Sequence, residues 1–383
     1  MHPMVAKKYR CFTGAGASLL AGVLGLGLVL GALTARAAGA AERGVTPAGS
    51  IKLLVLVDWE GRDLAPYNLA ALTALRQTLG DVPLTHLLSP AYFTRAGADS
   101  ATVKRLIRSA MRPGDAVGLT LGGWKSLVET AGVIFRSSPT FWGETLRPQD
   151  CAVDCGLDLP VNIYPEPELD RLFAVATTTL EKNGFGRPQG VLTEGWLASH
   201  AVLAAAARAG MRYDFSAVAP ELIAARAKQY PLYQWVKSLW SAVTPHTQPF
   251  AAPAAVAGLT EIPQSLAALD YLAVAELGQI FDEYVEQVKK EPSHTLIFPL
   301  VIYQETASQT VPLLTDLLGT LRRHAAQAGI TLTHLTLPGM ELPDDPTLQN
   351  MPVALQQAPT NSLPVKASQP TVTPPQVMGP MAH

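Results

Sequence analysis

Two carboxylates stand two positions apart in "VDWEG", where Asp58 and Glu60 close an apolar run. Residues i and i+2 of a strand point to the same face, so both acids can enter one cavity. Paired carboxylates work as general acid and base, or as a base beside a metal ligand. The plainer reading is a strand end where acids meet solvent or cap the next helix. "LTEGW" ends a second such run with Glu194, and "YQETA" ends a third with Tyr303, Gln304 and Glu305. If parallel strands deliver all three, their ends open on one rim. Trp59, Trp124 and Trp196 sit beside these ends. An indole there either stacks on the apolar face of a sugar ring or packs in the core.

The stretch "AVGLTLGGWKSLVETAG", residues 116–132, reads as a buried strand turning into a helix. Its turn carries Thr120, Gly122, Gly123 and Trp124, without a His, Asp or Cys. His86, His200, His246, His294, His324 and His334 are scattered, with no pair three or four positions apart. That spacing argues against a histidine-built metal site. There is no G-x-S-x-G nucleophile elbow, no G-x-G-x-x-G and no phosphate-binding P-loop, which argues against a nucleotide cofactor.

The elements that must position these residues alternate. "IKLLVLVDWEG" is predicted as a buried parallel strand, and "NLAALTALRQTLG" as a helix with a glycine stop. Further strands are expected at "PLTHLLSP", "AVGLTLGG", "GVLTEGW", "RYDFSAV", "HTLIFPLVIYQE" and "ITLTHLTL". Between them, helices are expected over 100–115, 166–186, 199–211, 267–291 and 311–329. Such alternation predicts an α/β domain around a parallel sheet, and both a barrel and a doubly wound sheet are compatible with it.

The chain has 383 residues, 16% of them charged and 48% hydrophobic, enough to bury a large core. Its 29 basic residues against 31 acidic ones leave a net charge of −2, which argues against nucleic acid as a partner. Residues 1–40 read as a signal peptide or an N-terminal anchor. Lys7, Lys8 and Arg10 precede an apolar run over 12–33, and Ala35-Arg36-Ala37 and Ala38-Gly39-Ala40 offer cleavage sites. An uncleaved run of roughly 20 residues is long enough to anchor the chain in the inner membrane. Either way the mature protein is expected to be periplasmic or otherwise extracytoplasmic. In such a compartment Cys151 and Cys155 are expected to form a disulfide, with free thiols or a metal site as the alternatives. Residues 41–50 read as a linker and residues 342–383, rich in Pro, Gln and Thr, as a disordered tail.

Taken together, the motifs over residues 51–341 resemble the polysaccharide deacetylase superfamily. "VDWEG" resembles its acidic first motif, and "GLTLGGWKSLVETAG" resembles a second motif that carries two histidines. "GFGRPQGVLTEGWLAS", "GMRYDFSAV" and "YQETA" resemble later ones. The resemblance implies a single-domain, distorted (β/α)7-type barrel. Active members hold a divalent metal, commonly zinc, through an acid and two histidines, with an Asp base and a late His acid. Here the histidine positions fall on Thr120 and Gly122, the family arginine on Leu192 and the late histidine on Tyr303. The resemblance therefore implies a degenerate member with no zinc site and no cofactor. It is expected to bind a glycan or another cell-envelope component at Asp58, Trp59, Glu60, Thr120, Trp124, Glu194, Trp196 and Tyr303. The alternatives are a hydrolase that uses Asp58, Glu60 and Glu194, or a zinc-dependent deacetylase.

Overall fold

A computed structural model describes residues 49–337, apart from 81, 253–255 and 257. The leader and the tail read from the sequence lie outside the described residues. Among the described residues no helix is long and apolar enough to cross a membrane.

The chain opens with strand β1 (Ser50–Trp59), helix α1 (Pro66–Leu79), β2 (Thr85–Leu88), α2 (Ala91–Thr94), α3 (Ser100–Ser109) and β3 (Ala116–Leu121). After α4 (Lys125–Thr130) and an insertion come α5 (Glu166–Lys182), β4 (Gly190–Thr193), α6 (His200–Arg208) and β5 (Tyr213–Asp214). Helices α7 (Pro220–Ala227) and α8 (Pro231–Trp240) lead to β6 (Phe250–Ala251) and β7 (Thr260–Glu261). The described chain ends with α9 (Val274–Lys290), β8 (Thr295–Tyr303), α10 (Ala307–Ala328) and β9 (Thr331–Leu335). The helix ends follow local chemistry. Proline opens α1, α7 and α8, where its missing N–H has no intrahelical partner to lose. The Asp99 carboxylate caps α3 by accepting from the N–H groups of Ala101 and Thr102. Gly329 ends α10 in the left-handed region.

The strands lie in the order β6-β7-β5-β4-β3-β2-β1-β8. Every pair is parallel except β6 with β7. One edge of β1 is shared, its first half pairing with β9 and its second half with β2. The sheet then curls back on itself. Ala268, just past β7, bridges Val301 of β8 in parallel, and Leu269 donates its N–H to the Val301 carbonyl at 3.0 Å. The result is a distorted barrel whose wall closes through one bridge rather than a full ladder.

That closure corrects one expectation. The helix expected over 267–291 starts only at Val274, because residues 264–269 run along the wall. An apolar segment fits a helix face or a strand, and tertiary pairing decides between them. The strand expected over "RYDFSAV" is also shorter. Ser216 turns back to donate both its N–H and its hydroxyl to Asp214, which ends the ladder after two residues. The helices and strands between 219 and 266 lie outside the expected elements, although α8 buries Leu232, Trp235, Val236 and Trp240 at helical spacing.

Behind β1, away from the rim acids, a buried polar relay ties the first strands together. Trp59 Nε1–H donates to His86 Nδ1 at 3.1 Å, which leaves Nε2 to carry the imidazole proton and donate to Asp115 at 3.2 Å. Arg76 completes the relay against Asp115. Burial is the largest influence on His86 and lowers its pKa, so the ring is neutral. Trp59→Phe should therefore cost about 1–3 kcal/mol of stability in denaturant titration, because it strands a buried acceptor.

Candidate functional site

Asp58 leaves β1 into the barrel interior and is 1% exposed. Thr120, at the end of β3, approaches Asp58 Oδ1 at 2.5 Å and the Leu87 carbonyl at 3.1 Å. One hydroxyl proton cannot serve two acceptors. Burial raises the Asp58 pKa well above the carboxylate range, and Glu60 and Glu305 push it the same way. A protonated Asp58 balances the count: its O–H donates to Thr120, and Thr120 donates to Leu87.

Glu60 is half-buried two residues on, with Arg62 Nε 3.1 Å from its Oε2. The loop between them is held from across the rim by Glu305, at the end of β8. Glu305 accepts from the N–H groups of Glu60, Gly61 and Arg62 at 3.2–3.4 Å and from the Tyr92 hydroxyl at 2.7 Å. Gly61 is required here. Its φ is +95°, and an added Cβ would stand 2.7 Å from Ser89 Oγ. Burial, then the charge of Glu60, lifts the Glu305 pKa to about 8 despite these donors. Asn68 Nδ2 fixes the same turn by donating to the Glu305 carbonyl at 2.8 Å.

Glu194 follows β4 in a single tight turn, Glu194–Trp196. Gly195 and Trp196 are both left-handed there, at φ +68° and +60°. A tryptophan in that region is uncommon and costs on the order of 1–3 kcal/mol. Trp196 Nε1–H donates to Gln264 and its carbonyl accepts from Trp240, so the turn is held by its surroundings. The turn sends the Glu194 side chain across Gly122. A Cβ on residue 122 would lie 2.9 Å from Glu194 Cγ and 3.3 Å from Trp124 Cδ1. Glu194 is 6% exposed, and its Oε1 is buried with no hydrogen-bond partner. Burial raises its pKa well above the carboxylate range, and Asp58 and Glu60 add to the rise.

The structure thus brings Asp58, Glu60, Thr120, Glu194 and Tyr303 to one rim, with the Tyr303 hydroxyl raised by burial and by the neighbouring Tyr271. The tryptophans need correction. Trp59 is fully buried on the far side of β1, bonded to His86, and cannot meet a ligand at this rim. Trp196 and Trp124 are also buried. Trp124 donates to the Glu60 carbonyl at 2.8 Å, and Arg95 covers its ring at 5.0 Å. The indole that does reach solvent is Trp142, in the insertion, 40% exposed and edge-on to Tyr230. Its neighbour Phe141 packs on Gly195, within 3.0 Å of where a Cβ would stand. Neither Trp142 nor Asn68 nor Tyr92 was marked by any spacing in the sequence.

Cys151 and Cys155 are joined in a disulfide. The loop it closes presents Asp154, which accepts from the Ser126 N–H and hydroxyl at 3.1 and 2.6 Å and so caps α4 beside Trp124.

The donor set does not fit the zinc site that active members of that superfamily hold. Thr120 is committed to Asp58, Gly122 has no space for a side chain, and Leu192 is an apolar buried residue. Among the described residues no three His, Cys, Asp or Glu side chains are arranged to hold a metal ion.

No family model matches the sequence, and no curated protein is similar to it. Solved structures do show a likeness. One is a protein from Mycobacterium smegmatis assigned as a polysaccharide deacetylase, at 12% identity and a TM-score of 0.42, covering 76% of this chain and 96% of that one. A family 4 carbohydrate esterase from Streptomyces lividans, in complex with acetate, is 10% identical at a TM-score of 0.34, covering 78% and 98%. A family 4 pseudoenzyme from Bacillus anthracis is 10% identical at 0.34, covering 76% and 65%. Likeness at this level concerns the course of the chain and says nothing about activity.

The rim makes stability depend on pH. Glu305 titrates near 8 when folded against 4.5 as a free side chain, so folding takes up a proton between those values. Stability from this group is full below about pH 4.5 and declines as pH rises towards 8. The raised carboxyls of Asp58 and Glu194 act in the same direction. Thermal unfolding should therefore show a lower Tm at pH 8.5 than at pH 5, with a shallower slope in Glu305→Gln.

Proposed function

We propose that this chain is an exported carbohydrate-binding protein on a deacetylase-like barrel, acting without metal-dependent deacetylation. One observation carries the reading: Glu194 lies across Gly122 while Thr120 is engaged with Asp58, so both positions where the resemblance places histidines serve a carboxyl network. A carbohydrate suits that network, since sugar hydroxyls both donate and accept. The buried, unpartnered Glu194 Oε1 needs a donor, and Trp142 offers an open indole face near the same turn. Export to the periplasm or another extracytoplasmic space is supported by the basic, apolar and small-residue order of residues 1–40, and a disulfide is at home there. Residues 12–33 are then either cleaved off or kept as an inner-membrane anchor.

A second reading, hydrolysis by Asp58, Glu60 and Glu194, is favoured by one contrast. Burial raises both carboxyls, Glu194 well above the carboxylate range and Glu60 against the opposing charge of Arg62, and such a spread can set an acid against a base.

The test is a saccharide-binding screen of the full chain, with Trp124→Ala and Trp142→Ala alongside. Binding to at least one saccharide is expected, weakened roughly three- to tenfold by Trp142→Ala through lost stacking. Binding that ignores both tryptophans counts against the site. Elemental analysis showing one zinc per chain would overturn the proposal. Turnover of a saccharide that Glu60→Gln abolishes would favour the hydrolase instead.

A further inference from the structure

We propose that the rim formed by Asp58, Glu60, Glu194 and Glu305 is a subsite for a primary ammonium group, so that the saccharide it takes is an amino sugar with an unacylated nitrogen. This inference rests on the carbohydrate reading and adds the ligand's charge to it.

Three strand ends deliver four carboxyl groups to one place: Glu305 accepts from the Glu60 N–H, Trp124 donates to the Glu60 carbonyl and meets Glu194 over Gly122, and Thr120, two residues before Gly122, is bonded to Asp58. Asp270 and Asp158 add acidity at longer range, towards Glu60 and Arg62. Arg62 is the cation that acts on both Glu60 and Glu194. Its Nε is engaged with Glu60, and its side chain is 54% exposed, so it lies towards solvent rather than beside the buried Asp58 and Glu194. Inside, Glu194 Oε1 is shielded from water and accepts from nothing. It is more than nine-tenths buried, and its charge couples first to Asp58 and then to Glu60.

A primary ammonium brings three N–H donors and a compact charge, so it can reach Glu194 and its neighbours together. An acetamide brings one N–H and no charge, so it offers the rim neither three donors nor a reason to give up its protons. A uronic or sulfated sugar brings a negative charge that gains no counter-charge from these carboxyls and opposes their ionisation. In the empty site, burial and mutual repulsion favour protonated carboxyls, and an arriving ammonium displaces those protons. The displaced protons pass to buffer, so charge balances without any bond breaking in the ligand.

Calorimetric titration of the full chain at pH 7 and low salt would compare a glucosamine oligomer with its fully N-acetylated counterpart of equal length. The free-amine oligomer should bind about tenfold tighter or better, as charge-assisted hydrogen bonds predict. That preference should be lost in Glu194→Gln. Glu60→Gln, at a more accessible position, should narrow it too and covers the case in which the first variant fails to fold. Equal or tighter binding of the acetylated oligomer overturns the inference and leaves the carbohydrate reading standing, as does a preference that both variants retain. If neither oligomer binds, the carbohydrate reading falls. The ammonium subsite is then decided by thermal unfolding with propylammonium chloride against propanol at matched ionic strength. A rise in Tm specific to the ammonium and lost in Glu60→Gln supports the subsite, and no rise overturns it.

Discussion

Burying Asp58 at the end of the central strand removes a carboxylate from water, and much of the surrounding structure follows from that step. An isolated buried carboxylate is prohibitively costly, so the group must keep its proton or find a counter-charge. Thr120 supplies the hydrogen-bond partner at 2.5 Å, and the Leu87 carbonyl completes the relay across β2. The presence of Glu60 and Glu305 makes protonation the cheaper solution, because like charges repel at short range in a weakly screened interior. The threonine that ends β3 is thus part of how the barrel tolerates an acid on its inner face.

The same logic organises the second ring of contacts. Glu305 gathers three successive backbone N–H groups of the β1 loop and the Tyr92 hydroxyl, which fixes Glu60 and Arg62 relative to β8. Asn68 and Ser308 link that turn to the starts of α1 and α10. On the other side, the left-handed turn after β4 lays Glu194 over Gly122, and Trp124 closes the gap by donating to the Glu60 carbonyl. Acidic side chains from three strands therefore share one partly enclosed space. Among the described residues Arg62, reaching in from solvent, opposes the rise of both Glu60 and Glu194.

Local periodicity was readable wherever one element decided its own face. The long strands β1 and β8 and helices such as α5 follow their apolar patterns closely. Elements shaped by distant partners were not readable. Residues 267–273 carry a pattern that suits the start of a helix, yet Ala268 and Leu269 are drawn onto β8 to close the wall. The two-residue strands β5, β6 and β7 are too short for alternation to register. Trp59 shows the limit for side chains, because its place between two acids said nothing of the imidazole waiting behind the sheet.

The sequence by itself determined an α/β chain, the i, i+2 placement of Asp58 and Glu60, and the lack of imidazoles at residues 120 and 122. These follow from residue identity and strand geometry, which need no partner to define them. Tertiary structure alone decided that Glu194 would occupy the space beside Gly122, that Glu305 would hold the β1 loop, and that Trp142 rather than Trp59 would face solvent. Each depends on which distant residue arrives at a given point once the barrel curls, and charge repulsion and burial act only after that meeting.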